Sequence, residues 1–523
     1  MELDGILNLD LYAHTYDSSA ATAIKRKDSN GIEETAFAGR KLWWFGKDLT
    51  KNTPFYEMDW ETYLGNNFYT FFNAYLANSI RGAKEIGSTK LNSNIPTLQN
   101  LFSVELGLLD INFPSRAFLS IGGNGWSVQI GRDRLSWGSG TTGNLVLSNN
   151  FPYYDMTRFT TYSTEGKYKY TYLLSFFPSK KNYYAIAKGG NQGYEGNAKN
   201  DSSVAMDGVF FYSAHRFEGR ILKDKLSFAI TEAIVYASAS NSIQFAALSP
   251  LYFMHNAYMP SNSNSTFAVE INYTPVKGLG IYAQILLDNF SIPFFNSGAG
   301  PNLSEASTQD AKAYLVGAKY VTSAANGTLT INPEVVYVMP YTYLRDSEQA
   351  GYPYGIDYVA AVKNRLYSYE DIGTSTDVLY DEYVIGYTYG PDCLVANLSA
   401  TWEKDKLTLG GKAFFMMHGT HDLWTIWSKV PTNTSEEDYN SQYTGVSTSH
   451  KDNGNYRYGD SVKTERNSIW YTLDIGLSAK YDVLENLSVS AAVDFVNMKN
   501  IYNVKGQDAH DFQVILGVSY SPF

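Results

Sequence analysis

The densest charged cluster on any predicted strand is Arg132, Asp133 and Arg134, followed closely by Trp137. In an extended strand successive side chains point to opposite faces, so the two arginines share one face and Asp133 lies on the other. Guanidinium groups bind carboxylates through paired hydrogen bonds, so two arginines on the inner face of a closed sheet could grip an acidic sugar. The alternative is a structural ion network within the wall of the sheet, and the residues alone leave both open.

A glycine-rich run at residues 138–143, Gly-Ser-Gly-Thr-Thr-Gly, matches the spacing of a dinucleotide-binding loop. Such a loop must open a helix, and an acidic residue must follow about 20 positions on to bind the ribose. Here residues 144–152 follow without a helical period and end in a proline. We therefore predict that the glycines shape a loop and that no cofactor binds there.

Two histidines, His418 and His421, form an H-x-x-H pair, but a zinc site would need further ligands and usually a helix. His418 ends a predicted strand and His421 begins a loop, which favours a structural role. Residues 452–455 resemble a calcium loop in composition but lack the required downstream glutamate. The chain also has no G-x-S-x-G nucleophile elbow. The sequence therefore predicts no catalytic residues, no metal site and no cofactor, and hence a protein that is not an enzyme.

A predicted external loop, residues 340–382, interleaves tyrosines with basic residues. Aromatic rings can stack on sugar rings, and arginine pairs with the carboxylates of uronic acids. For any single tyrosine, the alternative is a place in an interfacial aromatic girdle or in the packing of the loop itself. Together with the cluster above, the candidate sugar-binding residues are Arg132, Arg134, Trp137, Tyr341, Tyr343, Tyr352, Tyr354 and Arg365.

The elements that must position these residues are strands with one apolar and one polar face. Residues 487–495 are apolar at the odd positions and small or polar at the even ones, and residues 471–481 alternate in the same way. Runs of about ten residues are long enough to cross a bilayer at a tilt. Because a charge that faces lipid is costly, Asp474, Lys480 and Asp494 are predicted to face the lumen. The neighbours predicted to face lipid are Leu473, Ile475, Val493 and Phe495.

Short and long connections alternate along the chain. The short ones are residues 164–167, 223–225, 274–278, 326–327, 403–406 and 482–486, and the long ones are 138–156, 178–206, 290–311, 340–382, 419–467 and 499–511. All short connections fall on one side, as periplasmic turns do in an outer-membrane barrel. We predict an all-β fold, a transmembrane antiparallel β-barrel of roughly 18 strands, twelve of them after residue 165. It forms a single domain over residues 1–523 with room for a small periplasmic or luminal plug.

The composition fits this fold and excludes some partners. The formal net charge of -11 argues against nucleic acid, whose binding needs a basic face. Aromatic residues make up 15% of the 523 residues, as interfacial girdles would require. Cys393 is the only cysteine, so the chain forms no internal disulfide. Because Glu2 and Asp4 follow Met1 without a basic region or apolar core, we interpret the chain as a mature outer-membrane protein whose signal peptide has been removed.

Four stretches resemble the Wzi-like capsule-assembly outer-membrane proteins and occur in that family's order. The first reads Gly-Arg-Asp-Arg-Leu-Ser-Trp-Gly, then Leu-Ser-Asn-Asn, within residues 131–150; the others are residues 215–217 with 231–236 and 248–253, residues 281–290 and residues 385–392. The resemblance implies a monomeric barrel that holds capsular polysaccharide at the surface of a Gram-negative-type cell. It also implies a small helical bundle that plugs the periplasmic mouth. The expected partners are extracellular or capsular polysaccharide, outer-membrane lipid and the barrel-assembly machinery.

A channel is the competing prediction. A barrel of this size encloses an aqueous passage unless its lumen is filled, and a porin for small solutes would show the same alternation. The residues do not decide whether the lumen is open. The sequence therefore leaves a lectin-like surface protein and a porin as two alternatives.

Overall fold

The structure is a computed structural model of the 523-residue chain. It describes residues 2–14, 23–27, 33–38, 56–78, 91–93, 109–110, 115–177, 209–238, 242–253, 255, 262–289, 311–344, 357–364, 379–419, 421, 468–503, 505–506 and 508–522. All structural statements below refer to these residues.

Eighteen antiparallel strands close into a barrel. Each strand pairs with the next along the chain, and the first strand pairs with both the second and the last, which closes the ring. The strands are β1 (Glu2–His14), β2 (Tyr56–Leu64), β3 (Phe68–Asn78), β4 (Arg116–Gly123), β5 (Trp126–Asp133), β6 (Tyr154–Tyr162), β7 (Tyr168–Phe176), β8 (Val209–Ile221), β9 (Leu226–Ser238), β10 (Ser263–Val276), β11 (Leu279–Asn289), β12 (Ala311–Ala324), β13 (Gly327–Val338), β14 (Cys393–Lys404), β15 (Leu407–His418), β16 (Trp470–Leu484), β17 (Leu487–Lys499) and β18 (Ala509–Tyr520).

Smaller elements accompany the wall. They are a hairpin of Ala23–Lys27 with Glu33–Ala38, a hairpin of Val359–Asn364 with Leu379–Val384, short strands Leu91–Ser93 and Leu109–Asp110 beside β1 and β3, and 3₁₀ turns at Phe245–Leu248 and Ile501–Asn503. None of the elements whose bounds the structure describes is an α-helix, so the helical bundle implied by the resemblance has no counterpart among them. No helix of these ranges is long and apolar enough to cross a membrane.

The predicted strand count is confirmed, including twelve strands after residue 165. The sequence prediction was least defined before residue 125, where it did not identify the closing strand β1. Residues 7–14 of β1 pair with β18 and residues 2–7 pair with β2. One strand thus joins the two ends of the sheet, and Glu2 and Ser521 lie at the same end of the barrel.

The predicted sorting of connection lengths is also confirmed. At one end, which we call the short-turn end, eight turns of two to five residues join neighbouring strands. Asn326 and Asp405 there adopt positive φ angles of 59° and 50°, which the tight turns of twisted hairpins require. Every longer connection between wall strands lies at the opposite end, which we call the loop end.

The residues predicted to face the lumen and those predicted to face lipid lie on the expected sides of the wall. On β16, Ile475 is 49% exposed on the outer surface, whereas its neighbour Asp474 is only 1% exposed and points inward. Asp494 of β17 is equally buried inside, and Val493 beside it is exposed outside. A continuous apolar outer surface on strands of this length is the lipid-facing band of a transmembrane barrel. The predicted register of these strands is therefore correct.

The interior differs between its two halves. Toward the loop end, the lumen contains the main hydrophobic core of the protein, to which wall residues such as Leu315, Val336 and Val395 contribute. Toward the short-turn end, the lumen is lined by small and polar side chains. Ser478, Lys480 and Ser490 border a cavity of about 220 Å³ there. Among the described residues, the half of the lumen toward the loop end is packed with apolar side chains. The half toward the short-turn end forms a vestibule lined by small and polar side chains.

Candidate functional site in the barrel lumen

Between β5 and β6 the chain turns into the barrel instead of outward. We call residues 134–153 the constriction loop. Its backbone forms one antiparallel bridge, in which the Trp137 amide donates to the carbonyl of the fully buried Leu147 at 2.9 Å. The Ser148 hydroxyl donates to the Asn144 carbonyl at 2.6 Å and accepts from the Asn144 amide at 2.5 Å, which closes the inner turn. A segment that the sequence predicts as an external loop therefore fills part of the lumen.

The Glu334 carboxylate on β13 holds the tip of the constriction loop. Its Oε2 accepts hydrogen bonds from the Thr141 amide at 2.7 Å and from the Tyr282 hydroxyl at 2.8 Å. Its Oε1 accepts from the Thr142 amide at 2.8 Å and from the Thr142 hydroxyl at 2.5 Å. Successive amides that point at one anion form an anion-binding nest. Because Glu334 is buried, these bonds replace the water that its carboxylate loses.

Gln284 on β11 holds the next residues of the same loop. Its Oε1 accepts from the Leu145 amide at 2.8 Å, and its Nε2 donates to Asn144 Oδ1 at 2.6 Å. The same Asn144 oxygen accepts from the Gly140 amide at 2.9 Å. Both ends of one buried wall amide are therefore matched to the loop, which fixes how far the loop enters the lumen.

Two glycines of the constriction loop are required because the loop backbone has positive φ angles and lies very close to neighbouring side chains. Gly138 and Gly143 have φ angles of 124° and 137°, which side chains of L-residues rarely adopt. A Cβ at Gly143 would lie 2.3 Å from Thr388 Oγ1, and one at Gly138 would lie 1.9 Å from Gln284 Nε2. The prediction that this G-x-G-x-x-G run shapes a loop is therefore confirmed.

Two tyrosines of the loop between β13 and β14 pack behind the constriction loop. The Tyr343 hydroxyl donates to the Leu145 carbonyl at 2.6 Å and accepts from the Tyr387 amide at 3.2 Å. The Tyr343 amide donates to Asp288 Oδ2 at 2.7 Å. Burial raises the pKa of the Tyr343 and Tyr387 phenols well above its ordinary value, so both stay protonated and available as donors.

Of the four tyrosines predicted to bind sugar, two are buried and two lie outside the described residues. Tyr341 and Tyr343 are only 1% exposed, and the ring of Tyr341 packs edge-on against His421 with centroids 4.8 Å apart. Both therefore serve loop packing, the alternative that the sequence left open. Tyr352, Tyr354 and Arg365 lie outside the described residues, and their role in sugar binding stays a prediction.

One arginine of the charged cluster, Arg132, lies on the outer face of the wall. Arg132 shares the outer face of β5 with Ile130, which is exposed toward lipid. Its guanidinium forms a bidentate ion pair with Asp155, with Nε–Oδ1 at 2.7 Å and Nη2–Oδ2 at 2.8 Å, and lies 3.7 Å from the Tyr153 ring centroid. Arg134 follows the strand and is exposed. The prediction that Arg132 faces the lumen is therefore wrong, and a structural ion pair, the alternative that the sequence left open, describes its contacts. A role of Arg134 in sugar binding stays a prediction.

The remaining members of that cluster point inward. Asp133 accepts hydrogen bonds from Arg116 Nε at 2.7 Å and Gln129 Nε2 at 2.8 Å. Trp137 is half-buried in the constriction loop, where the guanidinium carbon of Arg216 lies 5.2 Å from its ring centroid. That distance is within the range of a cation–π contact. Trp137 is thus enclosed by the wall rather than presented to the outside.

Two luminal ion clusters were not identified from the sequence. Arg216 is bidentate with Glu270, and Lys412 Nζ lies 2.5 Å from Asp474 Oδ2 and 2.8 Å from Asp494 Oδ1. These residues all occupy inward positions of the period-two pattern. Charges that recur on the polar face of neighbouring predicted strands were the signal that would have located them.

The two histidines of the H-x-x-H pair make structural contacts. His418 approaches the carbonyls of Gly419 and Tyr389 at 2.8 and 3.1 Å, and the His421 amide donates to Asp392 Oδ2 at 3.0 Å. Among the described residues, no group of three or more His, Cys, Asp or Glu side chains is placed to hold a metal ion. The pair instead fastens the end of β15 to the loop before β14.

The chain resembles solved outer-membrane barrels in fold, with low sequence identity. Wzi of Escherichia coli, described as a carbohydrate-binding β-barrel involved in group 1 capsule assembly, has a TM-score of 0.49 and 11% identity, with 99% of this chain and 84% of that chain covered. OprD of Pseudomonas aeruginosa has a TM-score of 0.42 and 10% identity, with 100% and 95% covered. A BenF-like porin of Pseudomonas fluorescens Pf-5 has a TM-score of 0.41 and 8% identity, with 99% and 98% covered.

No protein-family model and no curated protein matches the chain by sequence. The chain's own geometry, a closed ring of 18 antiparallel strands with an apolar outer face, assigns the fold. The chain is an outer-membrane-type β-barrel.

Proposed function

We propose that this protein is a bacterial outer-membrane barrel that binds extracellular polysaccharide at the cell surface, without catalysis. The observation that carries the proposal is the hydrophobic core packed inside the half of the lumen toward the loop end. The constriction loop is fixed to β13 by Glu334 and to β11 by Gln284, and Tyr343 closes it from behind. A general pore needs an unobstructed aqueous path, whereas the hydrophobic core around these contacts takes in residues of every wall strand from β6 to β17.

A fixed inner layer favours a binding function for the loop end. Loops that are held by a rigid scaffold lose little conformational entropy when a ligand binds, so they bind more tightly than free loops. A polymer can also engage several weak sites at once, which gives firm retention from weak individual contacts. Polysaccharide retention thus needs rigid external loops more than it needs one deep pocket.

Three of the four stretches that resemble the Wzi-like proteins support the proposal by their positions. Residues 131–150 form most of the constriction loop, residues 281–290 carry Gln284, and residues 385–392 carry Tyr387, whose hydroxyl lies 2.7 Å from Thr142 Oγ1. Three stretches far apart in sequence therefore meet in one network of contacts. These three stretches belong to the segments that close the lumen, whereas the second stretch, residues 215–217, 231–236 and 248–253, lies on β8, β9 and the connection that follows β9.

A channel is the second candidate, and one observation favours it. In the short-turn half of the lumen, Lys480 and Ser478 line a cavity, and both side chains are exposed. A hydrophilic vestibule of this kind would suit a small solute that passes beside the constriction loop.

The deciding experiment pairs two measurements on the purified barrel: binding to surface polysaccharide of the source bacterium, and single-channel conductance in a planar bilayer. The proposal expects polymer binding with little or no conductance. The variant in which Tyr352, Tyr354 and Arg365 are all alanine should bind less polymer and release it from cells, whereas the exposed short-turn variant Glu165→Ala should not. Steady conductance without polymer binding would overturn the proposal and indicate that the protein is a porin.

A further inference from the structure

Between β9 and β10 the chain leaves the barrel wall on its outer side. Residues 242–253, which we call the outer strap, lie against the outward faces of β7, β8 and β9. The 3₁₀ turn of the strap packs Ala247 onto Phe211, Ile234 and Tyr236, all three of which are buried although they point away from the lumen. The outer strap is therefore part of the outer surface of the barrel.

The side chains that the outer strap presents to its surroundings are large and apolar. Phe245 is 82% exposed and Leu251 is 79% exposed, and Phe253 follows on the same segment. Ordinary water-exposed loops of a barrel carry polar residues. These residues continue the outer apolar band of the strands below, where Phe217 and Ile230 are exposed.

Wall tyrosines satisfy the polar backbone of the outer strap. The Tyr172 hydroxyl donates to the Leu248 carbonyl at 2.8 Å, the Tyr170 hydroxyl donates to the Pro250 carbonyl, and the Tyr236 hydroxyl donates to the Ser242 carbonyl at 3.1 Å. In water such carbonyls are solvated without help. In lipid each unpaired carbonyl costs several kcal/mol, so irregular backbone persists there only where protein groups pair with it.

The outer strap also covers a polar patch on the lipid side of the wall. His215 and Glu232 face each other outward on β8 and β9, and the amide of His255, just beyond the strap, donates to Glu232 Oε1 at 2.9 Å. His215 and His255 are both buried, and their rings stack with centroids 5.3 Å apart. Polar groups that face hydrocarbon are costly, so a cover over this patch is what a lipid environment would demand.

From these observations we infer that the outer strap is an intramembrane lipid-contact element: it lies in one leaflet of the bilayer, with Phe245, Leu251 and Phe253 against acyl chains. Its backbone is paired by the wall, its exposed side chains are apolar, and it is continuous with the lipid-facing band. The occupant of this surface is lipid rather than a second copy of the barrel or a soluble protein. The inference is independent of whether the protein binds polysaccharide.

The test places an environment-sensitive fluorophore on Leu251→Cys and reconstitutes the barrel into vesicles that contain phospholipids brominated along their acyl chains. The native Cys393 is fully buried, so labelling of the folded barrel is confined to the introduced thiol. Ile130→Cys, on the lipid-facing side of β5, is the positive control, and Glu165→Cys, in a short turn, is the aqueous control. Phe245→Cys repeats the measurement at a second position, and the gel mobility of unheated protein verifies folding.

The inference expects both strap positions to lose fluorescence to the brominated lipid as strongly as Ile130→Cys, at any protein-to-lipid ratio. Tyr172→Phe should weaken this quenching, because it removes the donor to the Leu248 carbonyl, whereas Tyr168→Phe on the same strand should not. Strap positions that behave like Glu165→Cys would place the strap in water and overturn the inference. Quenching that fades as barrels are crowded, with crosslinks between copies, would overturn it in favour of a protein interface.

Discussion

Replacing Glu334 by glutamine should release the tip of the constriction loop and leave the barrel intact. The carboxylate accepts hydrogen bonds from two backbone amides and from two hydroxyls, and all four donors point at its two oxygens. In the glutamine variant an NH₂ group replaces one oxygen. Whichever way the amide turns, that NH₂ faces the backbone N–H of either Thr141 or Thr142.

The magnitude follows from which donors can adapt. The hydroxyls of Tyr282 and Thr142 can rotate and accept a hydrogen bond, but a backbone N–H cannot. One buried N–H left unpaired costs about 1–3 kcal/mol, and loss of the charge weakens the remaining bonds by about 1 kcal/mol. The docked loop of Glu334→Gln should therefore lose about 2–4 kcal/mol relative to the undocked loop.

The loss of loop stability can be measured as faster hydrogen exchange at the two amides that Glu334 binds. Because 1.4 kcal/mol is a factor of ten, the amides of Thr141 and Thr142 should exchange about 25- to 700-fold faster in Glu334→Gln. Glu165→Gln, in an exposed short turn, should leave them unchanged. Unaltered exchange at both amides in a correctly folded Glu334→Gln barrel would refute the role assigned to Glu334.

Three further outcomes are expected. Val493→Arg, which puts a cation into the lipid-facing band, should lower the free energy of unfolding by about 2–4 kcal/mol, whereas Ser490→Arg, which faces the polar vestibule, should change it far less in denaturant titrations. Gly143→Ala should expose the constriction loop to limited proteolysis, because its Cβ would overlap Thr388; Gly65→Ala, in an open turn, should not. Because burial raises the pKa of the Tyr343 phenol, the docked loop keeps its full stability below pH 10 and loses it above, as the undocked phenol ionises. Exchange of the loop should accelerate above that pH, and less so in Tyr343→Phe.

The barrel was predictable from the sequence because its signals are local. Period-two alternation and short polar turns are set by neighbouring residues, and the bilayer fixes the strand length. The closing strand β1 was not identified, because its pairing with both β2 and β18 joins parts of the chain that are far apart. The orientation of Arg132 could have been read correctly. Trp126, Val128 and Ile130 share its parity and are apolar, which places Arg132 on the outer face.

The sequence did not predict that the constriction loop lies inside the barrel or that the outer strap lies on its outer surface. The bond between Thr142 and Glu334 joins residues 192 positions apart, and no local pattern reports it. A local signal did exist for the outer strap. Residues 245–253 read Phe-Ala-Ala-Leu-Ser-Pro-Leu-Tyr-Phe, which is too apolar for a loop in water. Such a composition in a connection between two strands indicates removal from water, although it does not say on which side of the wall.

The constriction loop and the outer strap are stabilised in the same way, one inside the barrel and the other on its outer surface. Irregular backbone that is removed from water must find partners for its amides and carbonyls. Inside the barrel, the carboxylate of Glu334 and the amide of Gln284 supply them; outside, the hydroxyls of Tyr172 and Tyr236 do so. In both cases the partner side chain belongs to a wall strand, whose position the barrel fixes. The wall therefore determines where each loop lies, and the loops need only small residues at the points of closest approach.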